Sequence, residues 1–164
     1  MAHEMKKMNG LKKYQKNLIR AAEMAMKNAY NPYSKFYVGA ALLTVDNKII
    51  TGANFENASY GVTICAERSA ILHANAEGYR QFKAMAIITK GEKSKTETPT
   101  APCGACRQMI FEASQISGND IELVLSNTDK TIFLIKNISE LLPYAFGPKD
   151  LGIDLKKYKR ADKS

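Results

Sequence analysis

Three cysteines occur in the 164 residues, and each falls where metal chemistry is possible. Cys65 opens Cys65-Ala66-Glu67-Arg68, while Cys103 and Cys106 stand three apart in Pro102-Cys103-Gly104-Ala105-Cys106. Both stretches read as helix starts. Thr63 is the expected cap of the first, whose Ala66, Ala70, Ile71 and Ala74 keep helical spacing until Gly78. Pro102 introduces the second, about Cys103 to Ser114, and places its two thiols on one face. A cysteine in a first helical turn lies among unpaired N–H groups at the positive end of the dipole, which favours the thiolate a metal needs. Thiolate donors select zinc among the common cytosolic divalent ions. Three protein ligands leave the fourth tetrahedral position open, as in catalytic rather than structural sites.

Glu67 follows Cys65 by two positions, roughly 200° around an ideal helix, so it is directed away from the shared ion's ligand set. It can overhang the open position, where a carboxylate within reach of an activated water accepts a proton and later returns it. Three thiolates on a dication leave a net charge of −1, which weakens the Lewis acid. Arg68 and Arg107, beside ligand cysteines, are the candidates to offset that charge by donating to sulfur. Other readings exist for these residues. Cys103 and Cys106 alone would make half of a structural zinc knuckle, but no fourth cysteine or well-placed histidine completes one; His73 sits mid-helix and reads as a packed or surface residue.

The elements that must position these groups follow from periodicity. Leu11, Leu18, Ala22 and Ala25 mark an amphipathic helix over roughly 11–27, ended by Asn31-Pro32-Tyr33-Ser34. Val38 to Val45 and Ile49 to Ala53, separated by Asp46-Asn47-Lys48, predict a hairpin. Phe82 to Thr89 reads as a buried strand, and 91–101 as a polar loop delivering the second cysteine helix. Ile121 to Leu125 and Thr131 to Ile135 are two further strands, and Ser139 starts a short helix halted by Pro143. This order predicts an α/β fold, a three-layer α-β-α sandwich around a mixed five-stranded sheet.

The length, with 45% apolar residues, suits a single domain over 1–164. No apolar run reaches the eighteen or so residues of a membrane span, and Met1 to Gly10 lacks the apolar stretch of a signal peptide, so the expected compartment is the cytosol. The formal charge of +8 is confined to the ends: residues 1–20 carry +5, residues 149–164 carry +3, and the body between is neutral. Basic ends on a neutral body read as solvated tails at about 1–10 and 152–164, expected to fray, rather than as a nucleic-acid surface.

Taken together, Pro32-Tyr33-Ser34-Lys35-Phe36, Val38-Gly39-Ala40-Ala41, Asn54-Phe55-Glu56-Asn57-Ala58, Cys65-Ala66-Glu67-Arg68 and Pro102-Cys103-Gly104-Ala105-Cys106-Arg107-Gln108 resemble the small homotetrameric cytidine deaminases. The likeness runs from about Tyr30 to Leu151. It implies one zinc per chain on Cys65, Cys103 and Cys106, with Glu67 as the proton-transfer group. It further implies that Asn54 and Glu56 hydrogen-bond the ribose, that Phe36 flanks the pyrimidine, and that Ala66 offers its N–H to the cytosine O2. Phe146 would stack on the base of a neighbouring subunit, with Ala58 and Tyr60 near the subunit boundary. By residue type alone, Phe36 and Phe146 read as core residues and Asn54 and Glu56 as parts of a turn. The implied reaction is hydrolytic deamination of cytidine and deoxycytidine. Three rivals share the metal motif: a blasticidin-type antibiotic deaminase, a nucleic-acid cytidine deaminase that would use the basic ends, and a zinc module that turns over nothing.

Overall fold

The structure is a computed structural model that describes residues 4–91, 99–128, 132–135 and 137–159. Its frame is one mixed sheet. In chain order the elements are strand β1 (Glu4–Lys6), helix α1 (Lys13–Met26), strands β2 (Phe36–Thr44) and β3 (Ile49–Ala53), helix α2 (Ala66–Ala76), strand β4 (Phe82–Gly91), helix α3 (Gly104–Ser117), strands β5 (Glu122–Asn127) and β6 (Ile132–Ile135), and helix α4 (Ile138–Leu141). The strands lie in the order β1-β6-β5-β4-β2-β3. β4 and β5 are parallel, with Ala84 opposite Glu122, and every other pairing is antiparallel. The parallel pair requires a crossover, which α3 supplies.

The expected three layers are present, but the sheet has six strands rather than five. The additional one is β1, which pairs with β6 from Glu4 opposite Leu134 to Lys6 opposite Ile132. Three residues from a lysine-rich end are too few to show a period, so the sequence gives no sign of this strand. The expected fraying of the basic ends is corrected in part by β1 and by a 3₁₀ turn at Leu155–Tyr158. Leu155 and Tyr158 lie over a cleft between α2 and α3 that Ile71, Met109 and Ile116 also line. The rest of the 91–101 loop beyond Gly91, Pro99, Thr100 and Ala101 lies outside the described residues, as do Met1 to His3 and residues 160–164.

The central strands are apolar on both faces because helices cover both. Ala41, Leu43, Ala84, Ala86 and Ile88 face α1 and pack with Leu18, Ile19 and Ala22. Ala40, Leu42, Met85 and Ile87 face the opposite layer and pack with Ala66, Ala70 and Ala74 of α2 and Ile110 of α3. The continuous apolar run of β4 therefore marks two-sided burial.

Small residues let α2 come down onto the edge of the sheet. A Cβ on Gly52 of β3 would overlap the Ala70 N–H and lie 2.7 Å from the Ala66 carbonyl. His73, one turn further along, is drawn to the same edge. Its Nδ1–H donates to the Thr51 carbonyl at 3.0 Å, and its Nε2 lies 3.1 Å from a Glu77 carboxylate oxygen. At the far end of α3, Ser117 Oγ accepts from Phe82 N–H at 2.9 Å and Asn119 Nδ2 donates to the Phe82 carbonyl at 3.0 Å. These bonds carry α3 beyond the expected Ser114 and fix it against the start of β4.

Candidate active site and metal centre

The two cysteine helices lie on the same face of the sheet, one entering and one leaving β4, with their N-termini together. Cys65 is the residue capping α2 and Cys103 the residue capping α3, each extended at ψ of 154° and 169° before the helix begins. Cys106 sits in the first turn of α3. Thr63 is not the cap expected of it; its hydroxyl accepts from Asn57 N–H at 3.1 Å, in the loop ahead of the helix. A cysteine at the cap leaves the first N–H groups of the helix without a side-chain acceptor, so both helix starts aim positive partial charge at the sulfurs.

The three sulfurs lie within 4.8 Å of one another, with Cys103 and Cys106 at 3.5 Å. Tetrahedral zinc with Zn–S bonds of about 2.3 Å has sulfur–sulfur edges of about 3.8 Å, which the cluster brackets. The donor set and its spacing therefore fit zinc. Among the described residues no other set of three His, Cys, Asp or Glu side chains is close enough to hold an ion, and no fourth such donor joins this one. His73 stands at the β3 edge and is not part of it.

Charge around the sulfurs is uneven. Cys65 is pulled down to about 5 by a hydrogen bond from Cys106, against the opposing effect of burial and with help from Arg68. The same pairing, together with burial, pushes Cys106 up. Arg68 Nη2 donates both to the Thr63 carbonyl, at 2.6 Å, and to Cys65 Sγ, at 3.7 Å. One guanidinium thus clamps the loop before α2 and touches the ligand sulfur. Arg107 departs from expectation: its Nε donates to the Pro102 carbonyl at 2.7 Å and its Nη1 to the Leu141 carbonyl at 3.0 Å. It fastens α3 to the backbone on either side rather than donating to sulfur.

Glu67, in the first turn of α2, is 5% exposed. Burial is the main cause that raises its carboxyl above the ordinary range, and the negative charge at Cys65 adds to it. A hydrogen bond from its own backbone N–H works the other way, with smaller help from Cys106 and Arg68. A carboxyl that readily holds a proton next to a three-sulfur metal set is suited to proton transfer.

The residues implied for the sugar lie together but are already engaged. Asn54 Oδ1 accepts from Val38 N–H and its Nδ2 donates to the Phe36 carbonyl, both at 2.9 Å. Glu56 Oε2 accepts the N–H groups of Tyr33 and Ser34 at 3.0 and 3.2 Å. Burial works to raise the Glu56 carboxyl, and hydrogen bonds from the Ser34 side chain and from these two N–H groups outweigh it, so it titrates below the usual carboxylate range. Each side chain thus shapes the Asn31 to Val38 turn and strand that carry Phe36. Asn54 retains one N–H and Glu56 a second oxygen for other work.

Phe36 is half-buried, and Ala66 is fully buried at the start of α2. Ala58, Tyr60 and Phe146 are exposed, Tyr60 by 73%. Tyr60 meets Tyr33 edge-on with ring centroids 5.7 Å apart, and Tyr30 stacks on Phe55 at 4.9 Å. Two contacts of Gln108 and Arg107 with the 141–146 segment have no signal in the sequence beyond their place after Cys106.

The sheet with its paired helix starts, the three sulfurs and the buried glutamate define a zinc deaminase site. The profile of the cytidine and deoxycytidylate deaminase zinc-binding region matches residues 12–117. The chain is 46% identical over 134 residues to a cytidine deaminase of Halalkalibacterium halodurans, covering 82% of this chain and 95% of that one. It is 44% identical over 133 residues to a probable cytidine deaminase of Dictyostelium discoideum, covering 81% and 84%. A crystal structure of cytidine deaminase from Burkholderia pseudomallei superposes with a TM-score of 0.71 at 45% identity, covering 79% of this chain and 97% of that one. The protein belongs to the cytidine deaminase family.

Proposed function

We propose that the protein hydrolyses cytidine and deoxycytidine to uridine and deoxyuridine, releasing ammonia. The observation that carries the reading is Glu67, buried in the same turn that brings Cys65 to Cys103 and Cys106. When bound by these three residues, zinc supplies a Lewis acid that makes water nucleophilic near neutral pH. Glu67 accepts the proton of the attacking water as the C4–O bond forms and delivers it to N3 of the ring. A second transfer through Glu67 accompanies cleavage of the C4–N4 bond, and the nitrogen leaves as ammonia. Arg68 holds the Cys65 sulfur in its anionic form by direct donation. Ala66 offers its N–H to the pyrimidine O2, and Phe36 flanks the ring. Asn54 and Glu56 meet the ribose hydroxyls with the capacity left by their bonds to the backbone of Tyr33, Ser34, Phe36 and Val38.

The reading extends to a homotetramer in the cytosol, with Ala58, Tyr60 and Phe146 contributing to sites shared between subunits. Its support is the exposure of these residues and of the neighbouring Tyr30, Tyr33, Phe55 and Val62. No described helix is long and apolar enough to cross a membrane. An ultraviolet assay on cytidine, deoxycytidine, cytosine and blasticidin, with zinc measured on the same sample, tests the assignment. Turnover of the two nucleosides with one zinc per chain is expected. A zinc-replete protein that leaves cytidine unchanged, or deaminates only the antibiotic, overturns it.

A further inference from the structure

Phe146 is a large apolar side chain 60% exposed, yet the main chain around it is firmly held. Gly147 and Pro148 are buried, the Gly147 N–H donates to Asp150 Oδ2 at 2.7 Å, and a Cβ on Gly147 would press on Phe111 at 2.8 Å. Two residues ahead of Phe146, Tyr144 holds φ at 56°, a left-handed conformation that L-residues keep only when their surroundings impose it. The Tyr144 side chain is fully exposed, so the restraint is on the backbone. It comes from α3: Arg107 Nη1 holds the Leu141 carbonyl at 3.0 Å, and Gln108 Nε2 holds the Phe146 carbonyl at 2.9 Å.

Arg107 and Gln108 directly follow Cys106, so the segment that presents Phe146 hangs from the helix that carries two of the three sulfurs. We propose that Gln108 is a positioning residue for Phe146: it fixes the Phe146 carbonyl to the metal-bearing helix, so that the ring reaches the pyrimidine of a neighbouring subunit already oriented. The inference rests on the reading of Phe146 as a contact shared between subunits. It links the metal helix of one subunit to the substrate pocket of the next. A preoriented ring spares the ordering cost that a loose segment would pay on substrate binding. Gln108 donates to Phe146 and not to sulfur, so its loss acts on substrate affinity and not on the chemical step.

The test is steady-state kinetics on cytidine, with zinc content and assembly mass measured on each sample. Gln108→Met keeps the length of the side chain and removes the donor, and Gln108→Glu is a second isostere without it. Both should retain one zinc per chain and the same assembly, raise KM by about two- to tenfold, and leave kcat within about twofold. In a Phe146→Ala background, Gln108→Met should add nothing further, because the two residues act in series. An unchanged KM in both Gln108 variants, a fall in kcat that tracks lost zinc, or full additivity in the double variant overturns the proposal. If Phe146→Ala raises KM and the Gln108 variants do not, the proposal alone fails. If Phe146→Ala leaves KM unaltered, the shared-contact reading fails and takes the proposal with it.

Discussion

Replacing Glu67 by Gln keeps the size of a buried side chain and removes its ability to take a proton. General acid–base groups contribute about 10²- to 10⁴-fold, and Glu67 serves more than one transfer, so Glu67→Gln should lose turnover at the upper end of that range. Zinc content and fold should persist; a variant without zinc would make Glu67 a ligand or a structural residue. Arg68→Ala removes the cation that touches Cys65 and also frees the Thr63 carbonyl. Weaker zinc retention against a competing chelator is expected, and undiminished retention together with full activity would refute the charge argument. Glu56 behaves differently because its carboxyl is depressed in the folded protein. Its contribution to stability is present above the ordinary carboxylate value of 4.5 and is lost as the pH falls through the lower folded value. The melting temperature should therefore drop on acidification in that window, and Glu56→Gln should flatten that part of the profile.

The helices reach the site only because the sheet lets them approach. Gly52→Ala inserts a methyl group against the Ala66–Ala70 turn of α2 and should cost about 1–3 kcal/mol, read as a fall in melting temperature. Since that turn follows Cys65 directly, zinc affinity should fall with stability, and a variant that melts earlier yet holds zinc as tightly would separate the two. The long apolar runs made β2, β4 and β5 legible in the sequence, and the cysteine spacing gave the metal cluster. Local chemistry was harder to read. Thr63 has the residue type of a cap, but its hydroxyl serves the preceding loop, and the cap position belongs to a sulfur. Arg107 sits where a sulfur donor is wanted, yet two carbonyls, one of them 34 residues away, take its hydrogen bonds. Asn54 and Glu56 read by type as parts of a turn, but they flank Phe55 in an extended segment bridged to Tyr30 and Ile64. Sequence spacing cannot resolve contacts set by tertiary packing.

At the scale of the whole molecule, single exposed apolar side chains are ordinary, whereas the exposed Tyr30, Tyr33, Phe55 and Tyr60, one pair stacked and one edge-on, form the patch on which the proposed tetramer is tested. Light scattering should give a mass of four chains. Tyr60→Asp places a charge in that surface and should yield smaller species with zinc retained and activity reduced; an unaltered mass would remove Tyr60 from the interface. The sheet also ends somewhere, and its two borders are β1 and β3. A border strand offers its free backbone groups as a template on which other chains can add strands, the first step of fibrillar growth. On β3 the Thr51 carbonyl is already occupied by the His73 ring. His73 then acts as a stopper against strand addition at that carbonyl, and its contact with Glu77 holds the ring in place. His73→Ala should leave catalysis intact while shortening the time to turbidity on gentle warming, and an unchanged time would rule out the stopper role.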